Sequence, residues 1–304
     1  MRGQKGFALV LTLIVTALMV AVLVEMIHQV SVDVSISRGF RDGQQASLLA
    51  ESGITGATKL LQLALQGKNY TSLSDVWAAP VKLDDETGTI EITIIEESGR
   101  INLNSLVSPN GAFELETQAV LKRLGKRLQI PENCWNALAD WLDSNGETLP
   151  GGAETAYYQT LKPPYSAGNG KLGSLAELSL VRGFTPEIIA KLQPFVTIHS
   201  DQSMSAKVNI NTAPMEVVAA LNDRIDDRMA VRILEERRLK PFTAIGELSR
   251  VDAQISGPLA GNATVNGSVF RITSLARVKE TARTVEVVVR MSKGAPEVLS
   301  WQEY

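Results

Sequence analysis

From Phe7 to Val24 the chain carries no charged residue, and the six residues before this run, MRGQKG, are short and basic. About eighteen residues at 1.5 Å each span roughly 27 Å as a helix, enough to cross the hydrocarbon core of a bilayer. The run is longer than the apolar region of a cleaved secretion signal. The sequence behind it, EMIHQVSVDVSISR, offers no small-x-small cleavage site. Arg2 and Lys5 lie on the amino-terminal side only, so the positive-inside rule keeps that end in the cytoplasm and sends the rest across the membrane. Beyond the run no proline intervenes, and apolar residues recur at helical spacing as Leu48, Leu49, Leu60 and Leu61. The pattern predicts one long helix reaching from lipid to a globular body, with Gly39 and Gly43 as weak points where it can bend.

The period then changes. Thr89 to Ile95 alternates apolar and polar residues, as does a strand with one buried face, and two more such stretches, GSVFRITSLARV and ARTVEVVVRMS, flank the charged turn KETA near the end. Between the first strand and these two lies a long insert of short amphipathic segments: ELETQAVLKRLGKRL, CWNALADWLDS, SLAELSLV, TPEIIAKLQPFV, APMEVVAALND, DRMAVRILEERR and AIGELSRV. The insert repeats loosely. RINLNSL and KVNINTAPMEVVAAL share an I/V-N-x-N entry, and each is followed at a distance by a similar six-residue segment ending in Glu-Leu, GSLAEL and TAIGEL. The expected fold is therefore α+β, with a long amino-terminal transmembrane and stem helix, a small antiparallel sheet and a large inserted all-α domain of two related modules.

Composition narrows the function classes. Thirty Lys and Arg against 33 Asp and Glu give a formal charge of −3 over 304 residues, so no global basic field draws the chain to nucleic acid. Cys134 is the single cysteine; it forms no internal disulfide and is expected as a small buried hydrophobe. Catalysis has little support, because neither His28 at the membrane boundary nor His199 in TIHSDQSMSAK has a nucleophile and an orienting acid near it in sequence. Asp84, Asp85 and Glu86 read as a solvated charge run before a turn.

Two motifs carry chemistry. VNINTAPMEVVAAL with AVRILEERRLKPF looks like a helix-hairpin-helix, which grips phosphate through backbone N–H groups in a glycine-rich turn. Here the turn, LNDRIDDRMA, has no glycine and places Asp223, Asp226 and Asp227 where a phosphate would sit. Arg232, Arg237, Arg238 and Lys240 interleave with Glu235 and Glu236 as a solvated helix face. A membrane-anchored DNA-binding or uptake protein is the alternative reading. The second motif is DWLDSNGETLPGGAE, where Asp140, Asp143, Asn145, Glu147 and Glu154 crowd oxygen ligands into a flexible loop that suits Ca²⁺. It is not an EF-hand, since Gly146 directly follows Asn145 and no glutamate stands at a twelfth position.

The basic leader ending at Gly6, with Phe7 opening an uninterrupted apolar helix, resembles a type IV pilin-like prepilin. Most prepilins carry a glutamate five residues into the mature chain; this position is Leu11. That departure, the paired helical modules, DWLDSNGETLPGGAETAYY, PPYSAGNGKLGSLAELSLVRGF and the terminal VLSWQEY together resemble the K minor pseudopilins of type II secretion systems. The resemblance implies that a prepilin peptidase cuts after Gly6 and methylates Phe7, and that Leu11 spares the bilayer a carboxylate. It implies structural calcium held by Asp143, Asn145, Glu147 and Glu154, with Asp140 capping or pairing on the preceding helix, Tyr157 adding hydrogen bonds or packing, and Thr148 and Leu149 offering carbonyls. It also implies a non-enzymatic assembly subunit in the inner membrane with a periplasmic head, placed at the pseudopilus tip. Its expected partners are the I and J minor pseudopilins, the major pseudopilin, the prepilin peptidase, inner-membrane lipid, exported substrates and the outer-membrane secretin, with no nucleic acid. The expected divisions are a leader over 1–6, a transmembrane helix over 7–25, the stem and first part of the sheet domain over 26–101, helical modules over 102–206 and 207–260, and closing strands over 261–304.

Overall fold

A computed structural model describes residues 4–108, 111–199, 207–292 and 294–304. Helix α1 runs unbroken over Gln4–Leu65, so Gly39 and Gly43 do not interrupt it. Strands β1 (Val81–Asp85), β2 (Gly88–Glu96) and β3 (Ile101–Asn102) follow. The head then contributes α2 (Leu115–Leu128), α3 (Asn133–Leu142), α4 (Thr155–Tyr158), α5 (Pro186–Leu192), β4 (Val196–Thr197), β5 (Val208–Asn209), α6 (Met215–Ala220), α7 (Asp227–Leu239), α8 (Ser256–Leu259) and β6 (Ala263–Thr264). Strands β7 (Val269–Val278), β8 (Thr281–Arg290) and β9 (Glu297–Glu303) close the chain.

Five strands form one antiparallel sheet in the order β1-β2-β7-β8-β9. β2 pairs directly with β7, Glu96 opposite Phe270, so the head is an insertion between two neighbouring strands. The second half of α1 lies on this sheet. Ala46, Ala50, Ile54, Ala57 and Leu61 are buried at i, i+4, i+3 spacing, and from Ala50 onward they pack on Ile92, Ile94, Phe270, Ile272, Val285 and Val287. Alanines at the contact let the helix axis come close to the sheet. From Phe7 to Arg41 every residue is exposed, and among the described residues α1 is the one helix long and apolar enough to cross a membrane, with a mean hydropathy of 3.0 in its most apolar window.

The head has a core of its own that runs from Ile101 through Trp135, Leu138, Val217 and Phe242 to Val265. Cys134 is buried in it. Each module is closed by a two-residue parallel ladder, β3 on β4 and β5 on β6. Two of the expected amphipathic segments, SLAELSLV and AIGELSRV, form 3-10 turns over Leu175–Leu180 and Ile245–Arg250. The run at Asp84 and Asp85 lies in strand β1, and only Glu86 and Thr87 make the hairpin turn.

Candidate functional site

The acidic loop is anchored at both ends by helices. Asp140 sits one turn before the end of α3, Asp143 caps that end with extended backbone (φ −84°, ψ 169°), and Glu154 immediately precedes α4. Spacing of i, i+3 puts Asp140 and Asp143 on one face of the helix, and the loop folds back to bring Glu154 against them. Carboxylate oxygens of the three lie within 4.8 Å of one another, and all three residues are buried.

Such a cluster is costly without a cation. Among the described residues no Lys or Arg pairs with any of the three. Glu154 Oε1 is buried without a partner. Both Asp140 oxygens accept from the Leu149 N–H at 3.2 Å, and Asp143 Oδ1 accepts from the Asn145 N–H at 3.0 Å. Burial pushes the carboxyls of Asp140 and Asp143 up; it does the same to Glu154, whose shift Asp140 and Asp143 reinforce. Gly152 has no room for a side chain, since a Cβ there would overlap Asp140 Oδ2. Three buried oxygen donors with an orphaned acceptor fit a hard divalent cation such as Ca²⁺.

Of the four ligands expected from sequence, the structure brings Asp143 and Glu154 together. Glu147 is exposed on the loop outside the cluster, and Asn145 Oδ1 accepts from the Glu147 N–H at 2.7 Å. Asp140, expected to cap or pair, joins the cluster as its most buried member. The i, i+3 spacing on α3 is the sequence signal that points to it. Tyr157 packs edge-on to Tyr158 at 5.3 Å and stacks under the Arg182 guanidinium at 4.6 Å.

The hairpin of α6 and α7 uses its aspartates internally. Asp226 caps α7 by accepting from the Met229 N–H at 2.8 Å. Asp223 and Asp227 pair with Arg123 at 3.4 Å and Arg127 at 2.5 Å on α2 of the first module. Arg237 does not belong to a solvated face: it turns inward and donates to the carbonyls of Ile210 and Ala213, both at 2.7 Å. Arg232 likewise donates to the Val251 carbonyl at 2.5 Å. Asp223 and Asp227 thus join the second module to the first, while Asp226, Arg232 and Arg237 hold the second module together.

At the other end of the molecule, Gly6, Phe7 and Leu11 lie on α1, Phe7 and Leu11 exposed. Met1 to Gly3 of the leader fall outside the described residues, as does the 200–206 segment that follows His199.

Residues 99–201 and 208–266 match the family described as Type II secretion system (T2SS), protein K. The Type II secretion system protein K of Pseudomonas aeruginosa is 30% identical over 293 residues, spanning 90% of this chain and 84% of that protein. Its counterpart in Aeromonas hydrophila is 29% identical, spanning 95% of this chain and 94% of that protein. A chain in the crystal structure of the GspK-GspI-GspJ complex from enterotoxigenic Escherichia coli superposes with a TM-score of 0.76 at 24% identity, over 88% of this chain and 99% of that one; the likeness is one of fold. With a helical head whose both modules carry the family pattern, set between strands of a small sheet on a long apolar helix, this chain belongs to the type II secretion system protein K family.

Proposed function

We propose that this chain is the minor pseudopilin at the tip of a type II secretion pseudopilus, where it helps start the fibre and the export of folded proteins across the outer membrane. The observation that carries the reading is the insertion of a whole helical head between the adjacent strands β2 and β7. A body of stem helix and sheet packs repeatedly along a fibre, whereas a head of this size seated on each copy would collide with its neighbours. Leu11 supports the same place: a subunit with none above it needs no carboxylate to meet a neighbour's amino terminus.

In this reading α1 anchors in the inner membrane with its amino terminus in the cytoplasm and the head in the periplasm. A prepilin peptidase cuts after Gly6 and methylates Phe7. The I and J minor pseudopilins are the partners, as GspI and GspJ are of the related GspK chain, with the major pseudopilin below and exported substrates and the secretin in reach of the head. The role is structural rather than enzymatic. Calcium, held by Asp140, Asp143 and Glu154, neutralises the cluster and ties the loop to α3.

The mass and amino-terminal chemistry of the chain, made in cells with and without a prepilin peptidase, test the reading. A chain beginning at N-methylated Phe7 only where the peptidase is present is expected, with Gly6→Asp left at full length in the membrane. A chain that retains Met1, or is cut beyond Val24, sinks it. Tip placement is tested separately by labelling the head on isolated pseudopili: label at one end is expected, and label along the shaft refutes it.

A further inference from the structure

The seam between head and sheet is held by a carboxyl group that, among the described residues, pairs with no cation. Glu96 ends β2 and is 4% exposed. Its Oε1 accepts from Asn209 Nδ2 at 2.7 Å, and the same amide donates to Thr71 Oγ1 at 2.7 Å. The Thr71 hydroxyl also accepts from the Gly267 N–H at 3.0 Å, and the Thr71 N–H donates to the Val265 carbonyl at 3.0 Å. Four stretches remote in sequence meet here: the end of a sheet strand, the linker behind the stem helix, the entry to the second module and the chain returning from it. A Cβ on Gly267 would overlap Glu96 Oε1, so the returning backbone is pressed against the carboxyl.

Among the described residues the other oxygen, Glu96 Oε2, and the Thr212 hydroxyl beside it are buried with no partner but each other. The charged groups around them are engaged elsewhere. Asp75, in the linker, pairs with Lys68 at 2.6 Å. Glu97 pairs with Arg100 at 3.2 Å and Arg271 at 2.8 Å, and Arg271 also pairs with Glu286. His199 faces that network, and Arg237 on α7 is turned to its two carbonyls. A carboxylate in such a place is unfavourable, whereas a neutral carboxyl has a proton on Oε2 to donate to Thr212 Oγ1.

We propose that Glu96 is a proton-operated latch: neutral, it binds Thr71, Asn209 and Thr212 into a closed seam between head and sheet, and ionised, it opens that seam to water. Burial, with a smaller push from Asp75, raises its carboxyl to about 7 against the pull of its hydrogen bonds. The sign follows: a raised acid favours the closed state most at low pH, and that advantage is lost as pH rises from the ordinary carboxyl range to about 7.

Amide exchange of the full-length chain in detergent tests this, with rates corrected for the intrinsic effect of pH, over segments 207–213 and 263–269. Their protection is expected to fall about thirtyfold from pH 5.5 to 8.5, the ratio for a carboxyl near 7 when closed and near its ordinary value when open. Glu96→Gln, which keeps a donor for Thr212, is expected to flatten the dependence. Protection that stays flat in the unaltered chain, or falls as steeply in Glu96→Gln, overturns the proposal. Where Glu96→Gln fails to fold, the carboxyl carbons of ¹³C-labelled glutamate decide, read in a Glu154→Gln background that removes the other raised glutamate. One glutamate titrating near 7 is expected, and none doing so overturns the latch.

Discussion

Asn104 and Asn211 close the two halves of the head with the same three hydrogen bonds. Asn104 Nδ2 donates to the carbonyls of Leu172 and Ile198, both at 3.0 Å, and its Oδ1 accepts from the Leu172 N–H at 2.7 Å. Asn211 Nδ2 donates to the carbonyls of Phe242 at 2.8 Å and Val265 at 3.3 Å, and its Oδ1 accepts from the Phe242 N–H at 2.9 Å. In each module the amide ties the entry to the residue before the GSLAEL or TAIGEL segment and to the residue after the second strand of the ladder. Asn211 is 1% exposed, whereas Asn104 is half-buried. Asn211→Ala leaves buried backbone groups with nothing to replace their bonds and is expected to cost about 3 kcal/mol. Asn104→Ala, which water reaches, is expected to cost less. Urea unfolding of the two variants ranks them, and equal losses would contradict the argument from burial.

That repeat was legible in the sequence because I/V-N-x-N is a local signature: the first asparagine of each pair, Asn102 or Asn209, accepts from the N–H two residues on and shapes its own turn. The long helix and strands β2, β7 and β8 were legible by their periods. Strand β1, VKLDD, was not, because its acidic residues are tolerated only at a sheet edge, where β2 supplies the pairing. The two-residue ladders are too short to leave any period. Of the acidic loop, the ligand types were plain but not their selection: burial singled out Asp140 over Glu147, and it arises from the tertiary fold of the loop onto α3.

The stem is fastened to the far end of the sheet by an ion pair. Lys279 Nζ lies 2.7 Å from Asp42 Oδ2, in the β7–β8 turn where Lys279 adopts φ +52°. The hydrogen bond from Lys279 holds the Asp42 carboxyl below its ordinary value. An acid lowered in the folded state stabilises it above the ordinary carboxylate pKa, and that contribution is lost as pH falls through the lowered value. Thermal unfolding of Asp42→Asn is expected to show a smaller loss on acidification than the unaltered chain. An unchanged acid limb would show that the pair adds nothing.

Gly53 marks the closest approach of stem to sheet. A Cβ at this position would overlap the Ser274 hydroxyl and come within 3.1 Å of Ile90 Cγ2. Overpacking of this kind costs about 1–3 kcal/mol, so Gly53→Ala is expected to lower the unfolding midpoint although alanine is the better helix former. Among the described residues Ser274 Oγ is buried without a partner, so Ser274→Ala removes the overlapping atom and frees no bond. The double variant is expected to recover part of the loss; strict additivity of the two changes would place the strain elsewhere.

Acid and calcium are expected to compete for the loop at Asp140, Asp143 and Glu154. Burial raises all three carboxyls in the metal-free chain, so protons bind the folded state more readily than the unfolded one. The linkage gives two opposite slopes. Without calcium the folded chain gains stability as pH falls through the raised values, because neutralising a buried carboxyl relieves the repulsion between its neighbours. With calcium the same protonation removes ligands, so the metal's contribution declines over that interval. Calorimetric titration with CaCl₂ at pH 5 and pH 7.5 is expected to show weaker binding at the lower pH, and unfolding in EGTA the reverse order of stability. Glu154→Gln removes one charge and the orphaned oxygen's demand for a cation. It is expected to stabilise the metal-free chain at neutral pH while weakening calcium binding about tenfold or more, roughly the 1.4 kcal/mol or above that a lost charged ligand represents. A metal-free chain destabilised by that change would mean that Glu154 is held by something other than a cation.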